Sequence, residues 1–376
     1  MTRVVVLGTR GYPSYYGGFE TAVRRLAPYL VDKGMEVTVY GRRDQTLDDH
    51  RADARVNTVS TIGLATKSLS TLTYGLTSTL HAAVMRPDVA LVMNVANGFW
   101  LPLLRWRGIP VVVNVDGMEW EREKWGRLAK WVFKTGARLT ARWADEIVVD
   151  ARAIGERWRH EFGRVGIFIP YGGDAPAPLP LKDDLEPGSY VLIVARFVPE
   201  NTIGEFFDAV PSLAETHDVV IVGSSGFGGE LDARAEALAR THPRVRWLGH
   251  MSDDERLFAL WQNAGAYFHG HSVGGTNPAL VQAMACGTPT VARDTIYNRE
   301  VLDTAAVYVQ PNARAITQGL IDLLNDDGMR KTLGERAQER AASSYSWAGV
   351  CLAYEQALRS ARHTRSPASR MRNSNP

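Results

Sequence analysis

Short apolar, β-branched runs alternate with stretches of helical periodicity along nearly the whole chain, and they do so in two successive series. In the first, strands are predicted near 3–7, 36–40, 89–93, 110–115, 146–149 and 167–169, with helical stretches between them such as 20–30 and 69–85. Residues 170–188, PYGGDAPAPLPLKDDLEPG, break the rhythm with Pro and Gly and read as a linker. The second series places strands near 190–195, 219–222, 245–248, 266–269, 289–292 and 306–309. Helices near 203–213, 253–261, 278–285 and 315–324 fill its gaps. Near-continuous apolar strands separated by helices specify parallel sheets covered on both faces. The predicted class is therefore α/β, with two doubly wound, Rossmann-like domains and a cleft between them at the carboxyl ends of the strands. The expected division is 1–172, 173–345, a helix over 346–362 that packs back on the first domain, and a tail over 363–376 without apolar periodicity, expected to be disordered.

Bulk properties agree with that organisation and exclude several function classes. A chain of 376 residues exceeds one ordinary core. Its hydrophobic content of 45% and charged content of 22% are those of a globular protein. A formal net charge of +2 provides no global field for nucleic acid. Two cysteines, Cys286 and Cys351, are too few for a disulfide framework and fit a reducing compartment. The apolar run at the amino terminus suits a strand better than a signal peptide, and no run reaches the roughly 18 residues of a membrane span. The expected location is cytoplasmic, with contact at the inner face of the cell membrane left open.

Five stretches carry candidate chemistry. In 266–287, AYFHGHSVGGTNPALVQAMACG, an apolar run ends at His269. A loop with Gly274 and Gly275 follows, and Pro278 opens an apolar helix. Strand, glycine-rich loop and Pro at the first helical position build a helix terminus whose amides suit phosphate. His269 and His271 stand two apart, but no third ligand has suitable spacing, so no metal is expected. After the first strand, 8–20 form a long loop with Gly17 and Gly18 at the start of the next helix. The dinucleotide fingerprint G-x-G-x-x-G is absent, which argues against a nicotinamide cofactor. Asp116, in 114–120 at the end of a buried strand, suits either proton acceptance or a plain Asp-Gly turn. Arg196, in 195–201, suits either a diphosphate clamp or a solvated turn. The stretch 120–143 interleaves Trp120, Trp125, Trp131 and Trp143 with basic residues, among them Arg122 and Lys124. It fits an anionic membrane surface, and equally a packed helix with a solvated basic face.

Taken together, GTRGYPSYYGGFET, NVDGMEW, PYGGD, ARFVPEN, HGHSVGGTNPALVQAMACG and the NRE at 298–300 resemble glycosyltransferase family 4. These are retaining enzymes of the GT-B fold, and the resemblance is nearest to the bacterial rhamnosyltransferases of capsule and exopolysaccharide synthesis. The resemblance implies a nucleotide-sugar in the second domain and an acceptor in the first. It implies that Arg196 binds the diphosphate, with Asn201 where a family lysine usually stands. Gly17 and Gly18 match glycines near the phosphates, and Asp116 sits where many relatives have a histidine near the reacting sugar. The family's paired glutamates would fall at Gly274 and Gln282, so both carboxylates are missing. Gly274, Gly275, Thr276 and Asn277 are expected to replace the first, with His271 on a ligand oxygen. Gln282 is expected to grip ribose less strongly than a carboxylate would, which suits the deoxyribose of a dTDP-sugar. The expected reaction is hexosyl transfer, rhamnosyl from dTDP-L-rhamnose, to a lipid-linked saccharide. Trp120, Arg122, Lys124 and Trp125 are assigned to the acceptor or membrane, no cofactor or metal is expected, and domain closure about 170–188 would exclude water. The alternatives are a nucleotide-sugar epimerase of the same architecture and a non-catalytic nucleotide-sugar-binding subunit.

Overall fold

The computed structural model describes every residue except 16, 44–51, 65–69, 123–124, 183, 227 and 365–376. The chain divides into two compact units. Unit 1 comprises Met1–Glu121, Trp125–Tyr171 and Trp347–Pro376; unit 2 comprises Gly172–Ser346 and Arg122–Lys124.

Unit 1 runs β1 (Thr2–Leu7), α1 (Gly18–Asp32), β2 (Met35–Arg42), β3 (Asn57–Thr61), α2 (Ser70–Met85), β4 (Val89–Met93), α3 (Leu101–Trp106), β5 (Val111–Asn114), α4 (Arg127–Trp143), β6 (Glu146–Val149), α5 (Arg152–Phe162) and β7 (Ile167–Phe168). Its strands form one sheet in the order β3-β2-β1-β4-β5-β6-β7, with every pairing parallel. Strands such as VALVM and VVVN are buried along their whole length, so both sheet faces need a helical cover. Val4, Val6, Leu91, Val112 and Val148 share a core with residues of α1 and of a C-terminal helix. Side-chain alternation turns Val5, Val92 and Val113 to the other face.

Unit 2 runs β8 (Tyr190–Val194), α6 (Ile203–Leu213), β9 (Asp218–Val222), α7 (Glu230–Thr241), β10 (Val245–Trp247), α8 (Asp254–Asn263), β11 (Ala266–His269), α9 (Pro278–Ala285), β12 (Thr290–Arg293), α10 (Ile296–Leu302), β13 (Ala306–Val309), α11 (Ala313–Leu324) and α12 (Asp327–Ser344). Its sheet order is β10-β9-β8-β11-β12-β13, again with all pairings parallel. α13 (Trp347–Thr364) then joins unit 1, where Trp347, Tyr354 and Leu358 enter the core.

The strand order reverses beside β1 in unit 1 and beside β8 in unit 2. Adjacent connections diverge at such points and open a crevice at the strands' carboxyl ends. In unit 2 the crevice falls between the loops after β8 and β11, which places 195–202 next to 270–277.

Three differences from the sequence expectations have physical causes. β3, NTVST, was missed because it is a polar edge strand with one fully buried residue, Thr61, and lacks the aliphatic run that marks the others. The segment 170–188, read as a linker, contains the change of unit at Tyr171–Gly172, and the chain changes unit again at Ser346–Trp347. Beyond Gly172 the segment is pinned to unit 2: the Leu179 N–H donates to Gln262 Oε1 at 2.9 Å, and Gln262 Nε2 donates to the Pro176 carbonyl at 3.0 Å. Proline and glycine mark irregular chain, not unattached chain. His363 and Thr364, assigned to the tail, complete α13; the rest of that tail lies outside the described residues.

Candidate functional site

In unit 2 a set of polar side chains ties the loop after β8 to the loop after β11. Asn201 Nδ2 donates to the Arg196 carbonyl at 2.8 Å. That fixes the amide orientation, so Asn201 Oδ1 faces His271 Nδ1 at 2.6 Å. An amide oxygen only accepts, so Nδ1 carries the proton and Nε2 keeps its lone pair. Thr202 Oγ1 donates to the Gly270 carbonyl at 2.6 Å, and Arg293 Nη1 donates to Thr202 Oγ1 at 3.0 Å. The Ser272 N–H and hydroxyl both donate to the Glu200 carbonyl at 2.9 Å. Asn298 closes the set from α10, donating to the His271 carbonyl at 2.9 Å and to the Arg293 carbonyl at 2.8 Å. Gly270 is required here, because a Cβ would lie 2.3 Å from the Asn201 carbonyl oxygen.

The electrostatics of the cluster are cationic and neutral at its mouth. Arg196 is exposed at the carboxyl end of β8 and forms no ion pair among the described residues. Its charge reaches His271, whose pKa lies well below the ordinary value, first through desolvation and further through the guanidiniums of Arg122 and Arg196. Burial lowers His269 to about 3. Its Nδ1 lies 3.2 Å from the Tyr267 hydroxyl, and its Nε2 is buried without a hydrogen-bond partner among the described residues. Both imidazoles are therefore neutral at pH 7. Gly274 has φ +112°, and a Cβ there would lie 3.3 Å from His271 Nε2. The loop thus folds its backbone over the imidazole in a conformation that favours glycine.

The other positions expected to hold the donor divide into loop and strut. Gly275 and the buried Thr276 complete the loop before α9. Asn277 is the N-cap of α9: its Oδ1 accepts from the Ala279 N–H at 2.9 Å. Its side chain therefore serves the helix end, as the residue before a Pro-initiated helix commonly does. Gln282 is buried, and its Nε2 donates to the Asp174 carbonyl at 2.7 Å. Only its Oε1 remains to meet a ligand. Sequence reasoning missed Asn298 and Glu200 as individual residues. The two carboxylate oxygens of Glu200 are buried without a hydrogen-bond partner among the described residues. Both residues lie in motifs noted for the resemblance, but pattern alone did not distinguish them from their neighbours.

Unit 1 presents a different arrangement at its strand ends. Gly17 is the extended N-cap of α1 and Gly18 its first residue. Glu20, in that first turn, accepts the Arg10 N–H at 3.1 Å, and the Arg10 carbonyl accepts the Arg42 N–H at 3.0 Å. Asp116 follows β5 with φ +56°, a left-handed conformation that Asp tolerates better than most residues. Its N–H donates to Asn114 Oδ1 at 2.9 Å, and Asn114 Nδ2 donates to the Tyr354 hydroxyl at 2.6 Å. The Tyr171 phenol is pushed well up, mainly by burial and further by the charges of Asp116, Asp150 and Glu20. Three carboxylates thus gather about one buried phenol.

Of the four residues assigned to acceptor or membrane, three are described, and they are buried or half-buried. Trp120 is buried, with its ring edge-on to Phe162 at 5.9 Å. Trp125 is half-buried; its Nε1 donates to Glu119 Oε2 at 2.9 Å and its ring packs on Phe133 at 5.2 Å. Arg122 is buried, and Lys124 lies outside the described residues. Aromatic payload pulled the tryptophans inward. Among the described residues, no group of three His, Cys, Asp or Glu side chains is placed to hold a metal ion. No helix among them is long and apolar enough to cross a membrane.

Comparison with known proteins agrees with this geometry. Residues 183–340 match the family described as glycosyl transferases group 1. Residues 1–174 match a family described only as a domain of unknown function, DUF1972. The chain is 31% identical over 207 residues to a phosphatidyl-myo-inositol mannosyltransferase of Mycolicibacterium smegmatis, covering 52% of this chain and 53% of that protein. It is 25% identical over 185 residues to the O-antigen chain mannosyltransferase B of Escherichia coli, covering 48% of each. The chain spans about half the length of the curated relatives it matches. Among solved structures it superposes on the sucrose-phosphate synthase of Thermosynechococcus elongatus with a TM-score of 0.80 at 19% identity, covering 96% of this chain and 99% of that one. It superposes on Anabaena HepE in complex with UDP and glucose with a TM-score of 0.74 at 17% identity, covering 96% and 100%. The architecture is that of the GT-B glycosyltransferases, and the match to the group 1 family falls within unit 2.

Proposed function

We propose that this chain, built on that architecture, moves a hexosyl group from a nucleotide-diphosphate sugar to a lipid-linked saccharide with retention of anomeric configuration. The observation that carries the reading is the pairing of Arg196, which has no acidic partner among the described residues, with the neutral His271–Asn201 unit and the loop that opens α9. The chemical task is to stabilise a departing diphosphate and an oxocarbenium-like sugar. A guanidinium and oriented backbone amides perform it where charge develops. His271 Nε2, a lone-pair acceptor over the loop, suits a sugar hydroxyl. Asp116, the carboxylate that follows β5 of unit 1, orients the acceptor hydroxyl. The departing phosphate oxygen takes the acceptor proton on the face where the new bond forms.

The donor we favour is dTDP-L-rhamnose. The motif set resembles rhamnosyltransferases, and Gln282 offers ribose one acceptor oxygen where a carboxylate would grip both hydroxyls. GDP-mannose is the second reading, favoured by the mannosyltransferases among the relatives. A donor screen with purified protein and membrane-extracted acceptor, reading released nucleotide, separates the two. Acceptor-dependent release from dTDP-rhamnose is expected. Release from GDP-mannose alone transfers the assignment to mannose, and donor binding without turnover across acceptors would leave a binding subunit.

A further inference from the structure

We propose that the outer face of the α2–α3–α4 layer of unit 1 docks on an anionic lipid surface. The three helices pack in succession, α2 on α3 and α3 on α4. No Asp or Glu occurs within any of them, whereas α4 alone carries Arg127, Lys130, Lys134, Arg138 and Arg142. The bias is local. The chain as a whole has a net charge of only +2, and the opposite layer mixes signs, with Glu20 and Asp32 beside Arg24 and Arg25 on α1 and Glu355 beside Arg359 and Arg362 on α13.

The same face exposes large apolar side chains. Leu128 is 75% exposed and Trp131 60% on α4, Val84 is 74% exposed on α2, and Trp106 is 83% exposed at the end of α3. The buried side of α4 is Gly136, Ala137 and Thr140, which turns Leu128, Trp131, Lys134 and Arg138 outward. Val84 and Trp106 are neighbours, since Arg107 Nε donates to the Ala83 carbonyl at 3.0 Å. A surface meant for water intersperses both signs of charge. Rings and aliphatic chains among cations of one sign suit the boundary between headgroups and acyl chains.

The occupant follows from charge. A second copy meeting this face about a two-fold axis would set lysine and arginine against lysine and arginine. Phospholipid headgroups of negative charge complement it. Position supports the same choice: a helix that follows a parallel strand starts at the strand's carboxyl end, so Leu128 and Trp131, in the first turns of α4, share that end of the sheet with Asp116, while Val84 and Trp106, in the last turns of α2 and α3, lie toward the other end of the same face. This inference deepens the proposed function by giving the route to a lipid-linked acceptor.

The test is sedimentation of the full chain with vesicles of phosphatidylcholine, alone or mixed with phosphatidylglycerol. Binding to the mixed vesicles, weakened by salt, and none to phosphatidylcholine alone is expected. Leu128→Ser/Trp131→Ser should weaken binding about tenfold, and Lys134→Glu/Arg138→Glu should remove its salt-sensitive part. An unchanged melting temperature and circular dichroism spectrum confirm that the variants fold. Equal binding to both vesicle types, or variants that bind like the parent, would overturn the proposal. So would absence of vesicle binding with a self-association in ultracentrifugation that Trp131→Ser dissolves. Vesicle binding without sugar transfer to any acceptor sinks the functional reading and leaves this one standing. Transfer to a water-soluble saccharide without vesicle binding does the reverse.

Discussion

The two units share a sheet plan and differ at the ends of their strands. In unit 2 the loops after β8, β11 and β12 are tied to one another by Asn201, Thr202, Ser272 and Asn298, whose side chains donate to backbone carbonyls, and by Arg293, which donates to Thr202 Oγ1. The mouth of that cluster is neutral or cationic. In unit 1 the corresponding loops bring Glu20, Asp116 and Asp150 within electrostatic reach of Tyr171. A doubly wound sheet fixes where a site forms but not its sign: here one copy of the plan carries Arg196 and two neutral imidazoles, and the other three carboxylates about a phenol. Function resides in what is mounted on the fold.

The sharpest way to break that contrast is Arg196→Ala. If Arg196 meets the departing diphosphate, turnover should fall by about 10²–10³-fold, the range seen when one charge-stabilising donor is removed. Thermal stability should hold, because the side chain is exposed and forms no ion pair among the described residues. Near-parental turnover would remove the leaving-group assignment. Next in size is Asp116→Asn, which keeps the shape and the left-handed backbone but removes the charge. Turnover should drop by about 10–10²-fold, in the range of lost acid–base or orienting groups, while donor affinity measured by calorimetry stays near the parent value. Equal loss of both would place Asp116 on the donor, and no loss would make it a turn residue.

The third test concerns the neutral imidazoles of unit 2. His269, lowered to about 3 by burial, and His271, also lowered, are unprotonated in the folded chain at pH values where an unfolded histidine with pKa about 6.5 takes up a proton. Between about pH 6.5 and the depressed folded values the unfolded state binds more protons, so stability declines as pH falls through that window. Melting temperature should therefore drop on acidification from pH 7 to pH 5. His269→Gln, which cannot titrate, should flatten that slope, and a variant with the parent's slope would assign the acid lability elsewhere.

Much of this was readable before the structure, and the exceptions are instructive. The strand 89–93 matches its observed limits because burial on both faces leaves an uninterrupted aliphatic run; 146–149, 266–269 and 306–309 match as well, from short apolar or aromatic runs between turn signals. β3 escaped because an edge strand need not be apolar. The loops of the candidate site were legible from Gly274, Pro278 and Arg196, whose chemistry is tied to backbone geometry or to fixed charge. The roles of Asn277 and Gln282 were not. A carboxamide reads the same in sequence whether it caps a helix, braces a loop or binds a ligand, and only its partners decide. The tryptophans stayed ambiguous for a related reason: Trp120 and Trp131 lie in one pattern, yet one ring is buried against Phe162 and the other is exposed.

The smallest expected effect comes from Gln282, and it separates brace from ligand contact. In Gln282→Glu a carboxylate oxygen replaces the amide that donates to the Asp174 carbonyl, so a buried hydrogen bond becomes an opposition of two acceptors. A cost of about 1–3 kcal/mol is expected from the unsatisfied pair, visible as a lowered melting temperature. If the side chain also reaches ribose, the added charge should raise affinity for UDP severalfold over dTDP, because only ribose presents two adjacent hydroxyls to a carboxylate. A melting temperature that falls while the UDP-to-dTDP ratio stays fixed would leave Gln282 as a brace between α9 and residue 174. Nucleotide choice would then have to arise elsewhere in unit 2.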